Sequence, residues 1–137
     1  MNCGTKNITD MKHISHYVDK VMHLLALGNG NIAVITNLLQ RDGCNPEDVM
    51  PCVYGACAYI VQSNMLTEQQ AIERDEEPHT KDEVLKAFTL LCPELSQEVV
   101  ESLYDYMIRK VWLIEKGDYV FCGTRMMINH PIRIDTK

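Results

Sequence analysis

The chain has 137 residues, of which 46% are hydrophobic and 23% charged, so it can form a packed core and is not wholly disordered. Thirteen basic and 19 acidic residues give a net charge of −6, which is not typical of a sequence-independent nucleic-acid binder. No apolar run is long enough for a transmembrane helix, and the N-terminus lacks the apolar segment of a signal peptide. We expect a cytoplasmic protein that does not enter a membrane.

The charge is distributed unevenly along the chain. Residues 1–65 carry a net charge of −1, residues 66–108 carry −8, and residues 109–137 carry +3. An acidic helix face and a basic tail that only keep the protein in solution would explain this pattern. The alternative is a bipolar surface that steers a charged partner toward the protein.

The first 45 residues predict two helices. The first runs from about Asp10 to Leu27, and Gly28 to Gly30 ends it; the second runs from Ile32 to Gln40. We interpret residues 1–45 as an N-terminal helical extension that packs on the remaining chain. A homodimer that forms through the same extension is an alternative that the sequence leaves undecided. The residues expected to make that contact have apolar side chains on one helix face: Val18, Val21, Leu25 and Ile35.

The next segment predicts the central helix. Asn45 followed by Pro46 is typical of a helix start, because asparagine caps and proline fits the first helical position. Pro51 is expected to kink the helix or to restart it. Residues 53–61 are apolar on nearly every side, which indicates a helix buried on several faces.

A short helix is expected after Thr67, which with Gln70 matches a capping box. Residues 73–79 contain four carboxylates and a proline and predict an exposed acidic loop. We assign residues 46–137 to a second unit that contains this loop.

The C-terminal half predicts two helices and a hairpin. Thr80 and Glu83 form a capping box for one helix, and Ser96 caps the next, which spans about Gln97 to Lys110. Two β-prone runs, 112–114 and 119–122, flank a turn that contains Gly117. Residues 126–134 are expected to add an edge strand.

Helix, tight turn, helix and hairpin between Thr80 and Cys122 resemble a winged helix-turn-helix, with Val53–Leu66 as the preceding helix. The fold class expected is therefore mostly α with a small C-terminal β-hairpin, winged-helix-like, with an N-terminal helical extension. The resemblance departs from the family at Val111, where members often have glycine between the second helix and the wing.

The family commonly binds DNA with its second helix in the major groove. Here the exposed face of that helix would present Glu98, Glu101 and Asp105, whose carboxylates would repel a phosphate backbone. Winged helices that lack a basic second helix commonly bind proteins instead, and the resemblance implies this function as well. We therefore expect a regulatory or adaptor protein whose acidic face binds a basic protein surface, including by imitating a nucleic acid.

The alternative is a DNA-binding transcriptional regulator of winged-helix type. It would contact phosphates through a basic tip at the end of the second helix, the wing and the tail. The residues of this basic tip are Arg109, Lys110, Lys116 and Arg125.

The sequence contains no complete catalytic constellation, so we expect no enzymatic activity, no catalytic residue and no cofactor. Zinc is not expected either, although His13 with His16 and Cys52 with Cys57 are the nearest approaches to ligand pairs. The six cysteines are expected to be free thiols rather than disulfides.

Overall fold

A computed structural model describes the backbone of residues 3–134 and the side chains of residues 14–134. It contains helices α1 (Cys3–Ala26), α2 (Ile32–Arg41), α3 (Pro46–Ser63), α4 (Glu68–Arg74), α5 (Lys81–Leu91) and α6 (Gln97–Arg109). Strands β1 (His79–Thr80), β2 (Leu113–Lys116) and β3 (Tyr119–Cys122) form one antiparallel sheet in the order β1-β3-β2. The mostly helical fold with a C-terminal hairpin is therefore confirmed.

The N-terminal helices pack on α3, as the apolar stripe of α1 predicts. Val18, Val21, Leu25 and Ile35 are all buried in the same core as α3. Helix α1 begins at Cys3 rather than near Asp10. The division of the chain at residue 45 stays a prediction.

Helix α3 is continuous through Pro51, so the predicted restart was wrong. Pro51 lies in the second turn, where it removes one backbone hydrogen bond, and its own carbonyl accepts a bond from the amide of Ile132 at 3.0 Å. Asn45 is the N-cap residue, although its side chain makes no capping bond. Buried packing on several faces holds this helix together.

The local helix-start signals are confirmed at three positions. Thr67 and Thr80 each form a complete capping box, and the Ser96 hydroxyl accepts from the amide of Val99 at 3.1 Å. The acidic connection is shorter than the predicted loop, because α4 extends to Arg74 and β1 begins at His79.

The third strand of the sheet is β1, so the predicted edge strand at residues 126–134 was wrong. In β1, His79 pairs with Val120 and Thr80 with Tyr119. The C-terminal segment instead lies against α3, where Gly55 lets the backbone of His130 approach the helix closely. Asn129, at φ +63°, is in a left-handed conformation that interrupts an extended strand.

Candidate functional site

Helix α6 is amphipathic, with one buried apolar face and one exposed charged face. Val100, Leu103, Tyr104 and Met107 are buried, and the capping serine fixes where the helix begins. The 3.6-residue period then places the charged positions on the opposite side. This helix occupies the place of the second helix in a helix-turn-helix, after α5 and before the hairpin.

The predicted acidic face lies on this outer side of α6. Glu98, Glu101 and Asp105 are all exposed, and their spacing of three and four residues places them next to one another. Glu101 accepts a hydrogen bond from the side chain of Gln97 at 2.8 Å. Within residues 14–134, none of the three carboxylates forms an ion pair. The structure therefore brings these three residues together as one negative surface.

The four residues of the predicted basic tip do not form one cluster of free cations. Lys116, on the wing, forms an ion pair with Glu68 of α4 at 2.6 Å. Arg125 donates to the backbone carbonyl of Gln62 at 3.4 Å. Two of the four basic side chains are thus engaged within the molecule.

The other two basic residues lie on an aromatic ring. The guanidinium of Arg109 and the ammonium of Lys110 are 5.9 and 5.6 Å from the ring centre of Tyr106. Trp112 is 5.7 Å from Tyr106, and His130 is 5.7 Å from Trp112, between ring centres. This aromatic cluster was not predicted from the sequence, where its only signal is the position of Tyr106 and Trp112 on either side of the two cations.

The wing is tied to the body of the protein by its polar side chains. The hydroxyl of Tyr104 donates to Glu115 at 2.5 Å, and that of Tyr119 donates to Glu77 at 3.3 Å. Burial and the nearby Glu115 carboxylate raise the pKa of Tyr104 well above its usual value. With Lys116 neutralised by Glu68, the hairpin offers little positive charge to a phosphate backbone.

Val111 lies at the junction of α6 and the wing in a left-handed conformation, with φ at +60°. A β-branched residue rarely adopts this conformation, which glycine adopts without penalty. This is the position at which the resembled family often has glycine. The valine side chain therefore adds strain to the backbone at this junction.

The cysteines whose side chains are described are free and buried: Cys44, Cys52, Cys57, Cys92 and Cys122. Burial raises the pKa of Cys44 to about 11 and that of Cys52 to about 12, so both thiols stay protonated near neutral pH. Among residues 14–134, no group of three or more His, Cys, Asp or Glu residues is placed to hold a metal ion. The side chain of His13, which with His16 is one of the nearest approaches to a ligand pair in the sequence, lies outside the described residues.

No helix in the described part of the chain combines the length and the apolar character that a membrane span requires. Comparison of the sequence and structure with protein-family models, curated proteins and solved structures found no match.

Proposed function

We propose that the protein is a non-enzymatic regulatory or adaptor module that binds a basic surface of a partner protein through the exposed face of α6. The observation that carries the proposal is the set of three adjacent carboxylates, Glu98, Glu101 and Asp105, none of which has a cationic partner within residues 14–134. The winged-helix-like order of elements supports it, because α6 occupies the outward position that such domains commonly use for recognition.

Electrostatics favours a protein over DNA as the partner. Duplex DNA carries about one negative charge per 1.7 Å, and the carboxylates of α6 would face that charge. A basic protein surface gains from the same carboxylates by long-range attraction. An acidic face that competes with a nucleic acid for its binding protein is a variant of this proposal.

DNA binding stays the second candidate, on the strength of one observation. Arg109 and Lys110 form no ion pair among the described residues and lie beside the exposed end of α6. They would contact phosphates from this end of the helix.

The buried free thiols fit a reducing compartment, so the expected cytoplasmic location remains part of the proposal. A homodimer also remains part of it.

The test compares two charge reversals of equal size in affinity capture from cell extract. One variant carries lysine at Glu98, Glu101 and Asp105; the control carries lysine at the exposed acids Glu47, Glu94 and Asp118. We expect the first variant to lose a captured protein by about tenfold or more, and the control to retain most of it.

Equal retention by both variants, or loss only in the control, would exclude the α6 face as the binding surface. A pool of duplex DNA fragments is then tested by fluorescence anisotropy at low and moderate salt. Sequence-selective binding that survives moderate salt and is lost when Arg109 and Lys110 are changed to alanine would establish the second candidate instead.

A further inference from the structure

An apolar groove lies between α3 and α5, away from the charged residues of α6. It has a volume of about 250 Å³, and its walls are mostly aliphatic. The side chains that define the groove are Ile60, Met65, Val84, Ala87, Leu90 and Leu91. An apolar cavity of about 150 Å³ accommodates a benzene-sized group, so this groove has room for about two large aliphatic side chains.

Leu90, at the rim of this groove, is 83% exposed and is the most exposed large hydrophobic side chain in the described part of the chain. A single exposed leucine on a surface is ordinary. A leucine exposed beside an apolar groove extends the apolar surface that a ligand could cover. The groove and Leu90 thus form one continuous surface.

One end of the groove includes a carboxylate and belongs to an acidic stretch of the chain. His79 and Glu83 line it there, and they belong to the stretch 73–83, which contains six acids and two bases. Two polar side chains of the lining are bonded to the backbone: Glu83 accepts from the amide of Thr80 at 2.9 Å, and Asn64 donates to the carbonyl of Ile60 at 3.0 Å. The excess of acids in this stretch favours a cationic group of a ligand at this end.

We propose that this groove binds an amphipathic helix of a partner protein, with two aliphatic side chains in the groove and lysine or arginine residues facing the stretch 73–83. The recognition mode is helix-in-groove, in which apolar anchors four residues apart supply the affinity and the flanking charges supply orientation. The groove shares no residue with the acidic face of α6. The inference therefore concerns a second binding surface and does not rest on the first.

The probe is a fluorescein-labelled peptide of about 16 residues, with leucines on one helical face and lysines elsewhere. A control peptide has the same composition with the leucines distributed around the helix. Fluorescence anisotropy is measured with the full chain at physiological salt. We expect the amphipathic peptide to bind about tenfold more tightly than its control.

Three variants locate the bound peptide. Ala87→Phe fills the groove, and Leu90→Gln removes the exposed leucine without touching the core; each should weaken binding about tenfold. Ile72→Gln is the matched control, because Ile72 is 74% exposed on α4 and lies outside the groove; it should change binding by less than about twofold. Because Leu90→Gln is a surface change, the test does not depend on the folding of Ala87→Phe.

Equal binding of both peptides, or binding that neither groove variant weakens, would overturn the proposal. So would a dimer, detected by light scattering, that Leu90→Gln dissociates, since a second copy would then occupy the groove. Replacement of Glu98, Glu101 and Asp105 by their amides should leave peptide affinity within about threefold. Variants of the groove should therefore affect peptide binding only, and variants of the acidic face of α6 should affect only the captured protein. The two proposals can fail independently of each other.

Discussion

Helices α3 and α6 differ in what their side chains contact. Ten of the 18 residues of α3 are buried, against four of the 13 residues of α6. Helix α3 touches the N-terminal helices, α5, α6 and the C-terminal segment, whereas α6 leaves a whole face to solvent. A helix enclosed on several sides can change little without unfolding, while a half-exposed helix can acquire a binding surface at small cost to stability.

The contrast is sharpest at Gln62, the only buried polar or charged residue among the described side chains. Its amide nitrogen donates to the carbonyls of Trp112 and Thr124 at 2.9 and 2.7 Å, and its amide oxygen accepts from the amide of Met126 at 3.0 Å. One side chain of α3 thus holds the chain before and after the wing. The acids of α6 have no such partners.

Gln62→Leu should have the largest effect. The leucine fits the volume but leaves the partly buried carbonyl of Thr124 and the buried amide of Met126 without their hydrogen bonds, and a buried unpaired group costs about 1–3 kcal/mol. We expect the free energy of unfolding to fall by about 3 kcal/mol in a urea titration. Ser63→Ala, at the neighbouring exposed position, should cost less than about 0.5 kcal/mol. Similar losses at both positions would contradict the role of Gln62.

Gly55→Ala tests the second contact between α3 and the C-terminal segment. A Cβ at this position would overlap the carbonyl oxygen of His130, so either the helix or the segment must shift. Overpacking costs about 1–3 kcal/mol and outweighs the better helix propensity of alanine. We expect a loss of about 2 kcal/mol by thermal or urea unfolding, and a gain in stability would show that the segment moves away freely.

Alkaline pH should weaken the part of the core that α3 organises. The pKa values of Cys44 and Cys52 are raised in the folded protein to about 11 and about 12, from 9.0 for the exposed thiol. Their stabilisation is therefore complete below pH 9 and is lost as the pH rises above that value, because only the unfolded chain releases these protons. The expected loss at pH 10 is about 1 kcal/mol for each thiol.

Urea titrations at pH 8 and pH 10 under reducing conditions measure this loss. Cys52→Ala removes one of the two thiols, so its stability should change less between the two pH values than that of the unmodified chain. An identical change in both proteins would show that other groups cause the alkaline destabilisation.

Val111→Gly should stabilise the protein, because it removes a β-branched residue from the left-handed region at the end of α6. The gain is expected to be about 1 kcal/mol, since the strain relieved exceeds the added freedom of the unfolded chain. Lys110→Gly is the control. Lys110 has a right-handed conformation, so glycine there should cost up to about 1 kcal/mol. A destabilised Val111→Gly would mean that the valine side chain makes a compensating contact.

The smallest effect on stability is expected for the acidic face itself. Replacing Glu98, Glu101 and Asp105 by their amides removes no ion pair among the described residues and should change the free energy of unfolding by less than about 0.5 kcal/mol. Urea titrations of this triple variant and of Gln62→Leu under the same conditions compare the two losses in the free energy of unfolding. A fall of several kcal/mol in the free energy of unfolding would show that these carboxylates stabilise the fold, which a solvent-exposed binding surface does not require.

The helix starts could be predicted because their causes are local. Thr67, Thr80 and Ser96 each cap a helix within three residues of their own position, so the relevant atoms are neighbours in sequence. The acidic face of α6 was predictable for a related reason, since the helical period places its residues together once the helix exists.

The third strand and the basic tip could not be predicted in the same way. Strand β1 has two residues and exists because β3 offers it a free edge, a condition set by the folding of the hairpin about 40 residues later. Lys116 and Arg125 are separated from the residues that engage them by long stretches of chain, and only their proximity in space pairs Lys116 with Glu68 and Arg125 with the backbone of Gln62.

By itself, the sequence determined the helical periods, the caps and the sign of the charge on each segment, because these depend on residues a few positions apart. The tertiary structure alone decided which charges remain free, where the C-terminal segment lies and that α3 and α5 leave an apolar groove between them. Those features depend on packing and pairing between distant segments, where burial determines which groups must find partners.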